Sequence, residues 1–317
     1  MSNGLQRDLI PVNAIIGFLK RDRRWPSPLY RSGYQLEMIE QPITVAGVGT
    51  AEIDVISLRH KSNHAVLWEC KAGYTVGERQ ARVYAAASAQ DLQRTGNITF
   101  SDPVKATAES AYCCLAEHAD RVIAALGTYA PRLPIVALGK SALLVSGQFS
   151  DSALTSTFTT GIEIPPLEEV PRFLKANTQT PKSQIARDIL ATMVSFLQRQ
   201  NRKVSVKQIL EETFPDCVCM GTDLRRHLTE TAKEIVNDLC EAELKDYARV
   251  SRPKNLSGEL VVEWIIDILG SDASLRTRLY QKLMRQAELY VERVDEGKPF
   301  DPAKEPETGW LPGFEPE

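Results

Sequence analysis

The sequence predicts an α/β protein with a mixed sheet, followed by a mainly helical second domain. Three observations carry that expectation. A helix, three apolar or β-branched runs, two helical stretches and two short apolar strands follow one another up to residue 146. Ser, Thr and Pro then crowd residues 147–182 with little periodicity, and helical patterns dominate what comes after.

In chain order, residues 5–20 space their apolar positions helically, with Ile15, Ile16 and Leu19 on one side, and end in the basic cluster Lys20, Arg21, Arg23 and Arg24. A loop at Pro26–Pro28 leads to Tyr34–Val45, Glu52–Leu58 and Ala65–Lys71, separated by Gly47-Val48-Gly49 and by the polar turn His60–His64; this reads as a three-stranded meander. After Gly73 and Gly77, residues 78–94 are strong helix formers, and residues 104–126 read as a second helix ending at Gly127. Pro134–Leu138 and Ala142–Val145 are short strands. Domain one is thus expected over 1–147 and a linker over 148–182, marked by Pro165, Pro166, Pro171 and Pro181. In the second domain, 183–294, Ser183–Leu197, Ser205–Phe214 and Thr222–Leu239 read as helices. Leu244–Val250 and Leu260–Trp264 read as strands around the polar loop Ser251–Gly258, and residues 275–293 as a last amphipathic helix. Residues 295–317 read as an acidic disordered tail.

Composition narrows the function classes. The net charge of −3 over 317 residues excludes a strongly basic nucleic-acid binder, although a local basic groove remains open. From Asp295 onward seven acids face two lysines, so the preceding 294 residues sum to +2. Six cysteines, Cys70, Cys113, Cys114, Cys217, Cys219 and Cys240, lack the density of a disulfide scaffold, and reduced thiols are expected. The N-terminus carries no basic start followed by an apolar stretch, and a cytoplasmic protein without membrane partners is expected.

The candidate chemistry lies in Ala51–Tyr84. Asp54, Glu69 and Lys71 sit on strands that are otherwise apolar, where an unpaired charge costs more than one strand recovers. Strand alternation turns Glu69 and Lys71 to one face and Cys70 to the other, and a short turn brings Asp54 beside them. Two such carboxylates repel, and a hard divalent cation such as Mg²⁺ relieves the repulsion. A cation beside a lysine suits phosphodiester hydrolysis.

With those residues in view, Asp54 followed by Glu69-Cys70-Lys71 resembles the D…(D/E)xK signature of the PD-(D/E)XK nuclease superfamily, and Gln80-Ala81-Arg82-Val83-Tyr84 resembles the QxxxY element of its RecB-like branch. The resemblance covers roughly residues 7–146, with Gly73 at the K-x-G turn. It implies a restriction-endonuclease-like αβββαβ core and a Mg²⁺-dependent deoxyribonuclease, an endonuclease with Mn²⁺ as substitute metal. Proteins of this build often serve bacterial restriction or phage defence, and the resemblance implies such a role. It further implies Asp54, Glu69 and the carbonyl of Cys70 as metal ligands, Lys71 as catalytic lysine, and Gln80 and Tyr84 as supports of the site or contacts to DNA. Two departures stand out. Ile53 precedes Asp54 where the motif's name has proline, and residues 9–20 supply no helix acid, leaving Glu37 or Glu40 as substitutes. An inactive nuclease-fold regulator and an RNase of the same fold are the alternatives.

Beyond residue 182, helices followed by two strands resemble a winged helix, with Thr222–Leu239 as recognition helix, Arg225, Arg226 and Lys233 toward phosphates and Arg252-Pro253-Lys254-Asn255 at the wing tip. A partner-binding helical domain is the equal alternative, and a homodimer through 275–293 or a defence-system partner fits the same pattern. Cys217, Cys219, His227 and Cys240 fit no zinc-knuckle spacing. Gly139-Lys140-Ser141 lacks the first glycine of a P-loop, and Trp25 and Trp68 read as core anchors.

Overall fold

This computed structural model describes residues 7–159, 161–199, 203–242, 245, 248–251, 265–268, 289–295 and 297. The opening apolar pattern becomes a 3-10 turn, Arg7–Leu9, and helix α1 (Ile10–Phe18), with Pro11 in the first turn, where its missing N–H costs nothing. Asn13 is buried within α1. Its amide donates to the carbonyls of Leu9 (2.9 Å) and Leu174 (2.8 Å), and its own oxygen accepts the Leu174 N–H (2.7 Å). A short helix α2 (Pro28–Arg31) precedes the meander of β1 (Gln35–Val45), β2 (Gly49–Arg59) and β3 (His64–Lys71), paired antiparallel in sequence order.

The helical stretch at 78–94 is two helices, α3 (Glu78–Ala86) and α4 (Ala89–Arg94). Ser88 divides them because its side chain accepts the Asp91 N–H while Asp91 reaches back to the Ser88 N–H, a reciprocal cap that starts a new helix. The second expected helix, 104–126, is corrected. Thr107–Leu115 is a strand, β4, and only Ala119–Tyr129, with Gly127 inside it, is helix α5. In the central position β4 pairs parallel to β3 on one side and to β5 on the other, buried from Ser110 to Leu115. A strand covered on both faces shows no alternation, and its ladder outweighs the helix preference of Ala and Glu. β5 (Ile135–Leu138) and β6 (Leu143–Ser146) close a six-stranded mixed sheet of order β1-β2-β3-β4-β5-β6. The chain is therefore α/β.

Residues 148–178, expected as linker, carry helix α6 (Ser152–Thr159) and the buried Leu154, Phe158, Ile164, Val170, Leu174 and Ala176. Phe149 and Phe158 stack on each other at 5.2 Å and close over Trp68 at 5.9 and 6.5 Å. The chain divides into two units, Met1–Thr178 with Phe214–Arg226, and Gln179–Thr213 with His227–Glu317.

The second unit holds α7 (Lys182–Gln198), β7 (Lys203–Ser205), α8 (Val206–Thr213), the greater part of α9 (Thr222–Glu241), β8 (Ala248–Ser251), β9 (Ile265–Ile268) and a helical stretch at 289–295. β9 lies between β7 and β8, antiparallel to both; β7 was not expected from sequence. The expected strand 260–264, the wing tip 252–255, most of the helix 275–293 and the tail beyond residue 297 lie outside the described residues.

The inserted segment 214–226 docks in the first unit. Met220 bridges Ile39 of β1, the Gly221 N–H donates to the Ile39 carbonyl (2.6 Å), and Lys20 pairs with Asp216 at 2.5 Å.

Candidate active site

Strand register assembles one polar rung across four apolar strands. β2 and β3 pair Val55 with Trp68, so the next rung brings Asp54 beside Glu69. Glu69 is itself paired with Tyr112 on β4. On the other side Ile39 faces Val55 and Gln41 faces Ile53, which sets Glu40 opposite Asp54. Side chains alternate along each strand, so rung neighbours on adjacent strands share a face.

The central members are tightly engaged. Glu69 is only 1% exposed; its carboxylate forms an ion pair with the Lys71 ammonium and accepts the Tyr84 hydroxyl, which also lies 2.8 Å from the Glu52 carbonyl. Lys71 Nζ donates to Gln80 Oε1 at 3.4 Å. Gln80 and Tyr84, four apart on α3, thus reach the lysine and the glutamate from one helix face. Asp54 Oδ2 accepts the Cys70 N–H at 2.6 Å. The Cys70 thiol lies on the opposite face beside Cys113, and burial holds it well above the usual thiol range.

The electrostatics follow from burial and crowding. Burial first, and then the charge of Glu69, hold the Asp54 carboxyl well above its usual range, against the opposing Cys70 N–H and Lys71. Burial pulls Lys71 down, but Glu69 and then Asp54 more than offset it and leave the ammonium above its ordinary value. Burial, then Glu69 and Asp54, raise the Tyr84 phenol far up. Lys71 is therefore the cationic member of the group.

Glu40 and Tyr112 stand out at the two ends of the rung. Glu40 is 6% exposed, and its backbone lies in the left-handed region at φ 50°, which a non-glycine residue adopts only under constraint. A backbone N–H at Thr178 meets its carboxylate, its Oε2 has no partner, and burial followed by repulsion from Glu52 pushes its carboxyl up to about 8. Glu40 also raises Asp54. Glu37, the other substitute acid, is taken by His60 at 3.1 Å. Tyr112 is fully buried with its ring 5.8 Å from that of Tyr84 and its hydroxyl unpartnered. Sequence reasoning missed Tyr112 because the strand carrying it was read as helix; the unbroken Ala-Tyr-Cys-Cys-Leu run before Ala116 was the available signal.

Among the described residues no group of three or more His, Cys, Asp or Glu side chains forms a ready metal cage. That applies equally to Cys217, Cys219, His227 and Cys240, and none of the six cysteines is in a disulfide. Asp54 and Glu69 still fit a magnesium-type ion, which keeps several waters and takes one or two carboxylates plus substrate oxygens rather than an all-protein cage. The unpartnered oxygen of Glu40 and hydroxyl of Tyr112 supply the remaining polar lining.

The other candidates resolve simply. Of the basic cluster, Lys20 is taken by Asp216 and lies over the Phe173 ring, while Arg21, Arg23 and Arg24 are exposed. Trp25 and Trp68 are buried, the latter donating to Ser57 at 3.0 Å. Gly139 closes the β5–β6 turn, its N–H bonded to the Ala142 carbonyl. Arg225 donates to the carbonyls of Val218 and Met220, Arg226 pairs with Asp223, and Lys233 pairs with Glu230.

Compared with known proteins, the chain matches a family model described as the MJECL32 domain over residues 8–174, a span that contains the whole polar rung and α3. No curated protein and no solved structure matches.

Proposed function

We propose that this chain, which belongs to the MJECL32 domain family, is a metal-dependent nuclease that hydrolyses DNA phosphodiester bonds. The observation that carries the reading is the convergence of Asp54, Glu69 and Lys71 on one face of the sheet, with Gln80 and Tyr84 of α3 buttressing the lysine and the glutamate. The element order supports it, since α1-β1-β2-β3-α3-β4 follows the αβββαβ core of PD-(D/E)XK nucleases, with the short α2 added before β1 and α4 added to the crossover.

Asp54 and Glu69 would hold Mg²⁺, or Mn²⁺ in its place, with the carbonyl of Cys70 as a further ligand by resemblance. When bound, such an ion polarises a phosphoryl oxygen and lowers the pKa of water. Lys71, protonated beside Glu69, donates to the phosphoryl oxygens as charge develops there, and it orients the attacking water. Gln80 and Tyr84 keep Lys71 and Glu69 in position. Glu40, opposite Asp54 on β1, would stand in for the acid that the opening helix lacks, without closing a three-residue cage around the ion.

The second unit supports a DNA substrate. Its order α7-β7-α8-α9-β8-β9, with β7 and β8 on either side of β9, resembles that of a winged helix. The test is incubation with supercoiled plasmid, and in parallel with RNA, in Mg²⁺, Mn²⁺ or EDTA. Wild type should nick or linearise the plasmid only with metal, and Glu69→Gln and Lys71→Gln should lose at least about 100-fold in rate, the scale seen when a transition-state donor is removed. Cleavage that survives in both variants sinks the assignment. RNA cleaved in place of plasmid moves the substrate and keeps the site.

A further inference from the structure

Resting on that nuclease reading, we infer that Tyr112 is a positioning residue of the same site, its hydroxyl donating a hydrogen bond to a water in the shell of the divalent cation held by Asp54 and Glu69. A phenylalanine would fill the same space at Tyr112 without the hydroxyl. Leaving a buried donor unpaired costs about 1–3 kcal/mol, so an idle hydroxyl here would be a standing loss. Yet Tyr112 is fully buried and its hydroxyl meets no protein partner.

Its location points to the partner. Tyr112 is register-paired with Glu69 across the parallel β3–β4 ladder, one rung position from the glutamate and two from Asp54. Strands lie about 4.8 Å apart, so Tyr112 stands one spacing from Glu69 and two from Asp54, and the charges of Glu69 and then Asp54 both act on its phenol. Its ring leans on Tyr84, whose hydroxyl proton is directed at Glu69 and the Glu52 carbonyl, and the two phenols share no hydrogen bond. No carboxylate oxygen comes within hydrogen-bond distance of the Tyr112 hydroxyl. An unpartnered donor next to a carboxylate acceptor is the pairing that a shared water joins. A magnesium-type ion brings such waters with it.

The test is Tyr112→Phe in the full chain, read first by Mn²⁺ binding (paramagnetic resonance of the free ion), then by melting temperature and by the kcat/KM split on plasmid. Outer-shell partners of metal sites are worth about 10–100-fold in affinity, and a weakening of about 10-fold is expected. Melting without metal should be unchanged or higher in Tyr112→Phe, because no protein hydrogen bond is lost, and kcat should fall while KM stays. Mn²⁺ affinity equal to wild type overturns the inference and leaves the nuclease reading standing. A fall in melting temperature with affinity unchanged assigns the hydroxyl a merely structural role and also overturns it. Wild type that binds no Mn²⁺ overturns both.

Discussion

Glu40 combines three properties seldom found in one glutamate: burial, a left-handed backbone and a carboxylate oxygen without a partner. Its pH behaviour follows from the raised carboxyl. In the unfolded chain Glu40 releases its proton near 4.5, whereas in the folded protein it holds the proton until about 8. Between those values the native state binds more protons than the unfolded state, so the stability this group contributes is complete below about 4.5 and is lost as pH rises through about 8. Asp54, also raised, adds in the same direction. Glu40→Gln, which mimics the protonated form, should match wild type in melting temperature at pH 4 and exceed it by several degrees at pH 8.5, both measured in EDTA. A difference that stays constant across that range would show that the Glu40 carboxylate is already charged and partnered at neutral pH. The same logic bears on the metal, because an ion between Asp54 and Glu69 offsets the burial of Asp54 and its repulsion by Glu69, which together hold the Asp54 carboxyl up.

At the scale of elements, sequence reading and structure part where tertiary context overrides local preference. The meander was legible because β1, β2 and β3 carry long β-branched runs between glycine-rich or polar turns, and alternation alone put Glu69 and Lys71 on one face. β4 was not legible: Thr107–Leu115 is rich in alanine and owes its extended form to β3 and β5 on either side, neither adjacent to it in sequence. Tyr112 stayed hidden with it. Nor could the contact of β1 with the segment 214–226 be read, since it joins residues about 180 positions apart through backbone atoms. Gly221 makes that contact possible, because a Cβ there would strike the Glu40 carbonyl carbon and oxygen and the Cα of Gln41. Gly221→Ala must therefore push the segment off β1 or shift Glu40. A destabilisation of about 1–3 kcal/mol, the usual cost of overpacking, is expected, together with new proteolytic cleavage between residues 214 and 221. Unchanged melting and an unchanged digest would mean that β1 holds its left-handed turn without the segment.

For the whole molecule, the proposed nuclease activity requires a chain of net charge −3 to engage a polyanion. Affinity for DNA needs local cations without internal partners, and the structure sorts the candidates. Lys20 is committed to Asp216, Arg226 and Lys233 are paired with Asp223 and Glu230 on their own helix, and Arg225 is bound to carbonyls of Val218 and Met220. Arg21, Arg23 and Arg24 remain exposed in the loop after α1 and carry no ion pair among the described residues. If these arginines make the phosphate contacts, about three counterions are released. The slope of log affinity against log salt is then near −2.7, roughly a 40-fold loss between 50 and 200 mM salt. The triple change Arg21→Ala, Arg23→Ala, Arg24→Ala should flatten that slope toward zero, measured by fluorescence anisotropy with a labelled duplex in Ca²⁺ to keep it uncut. The pair Arg226→Ala, Lys233→Ala should leave the slope nearly unchanged, since removing either cation frees an acid that was already neutralised. The reverse pattern, a slope carried by Arg226 and Lys233, would move the DNA contact to α9. No measurable affinity at 50 mM salt would remove DNA as the substrate.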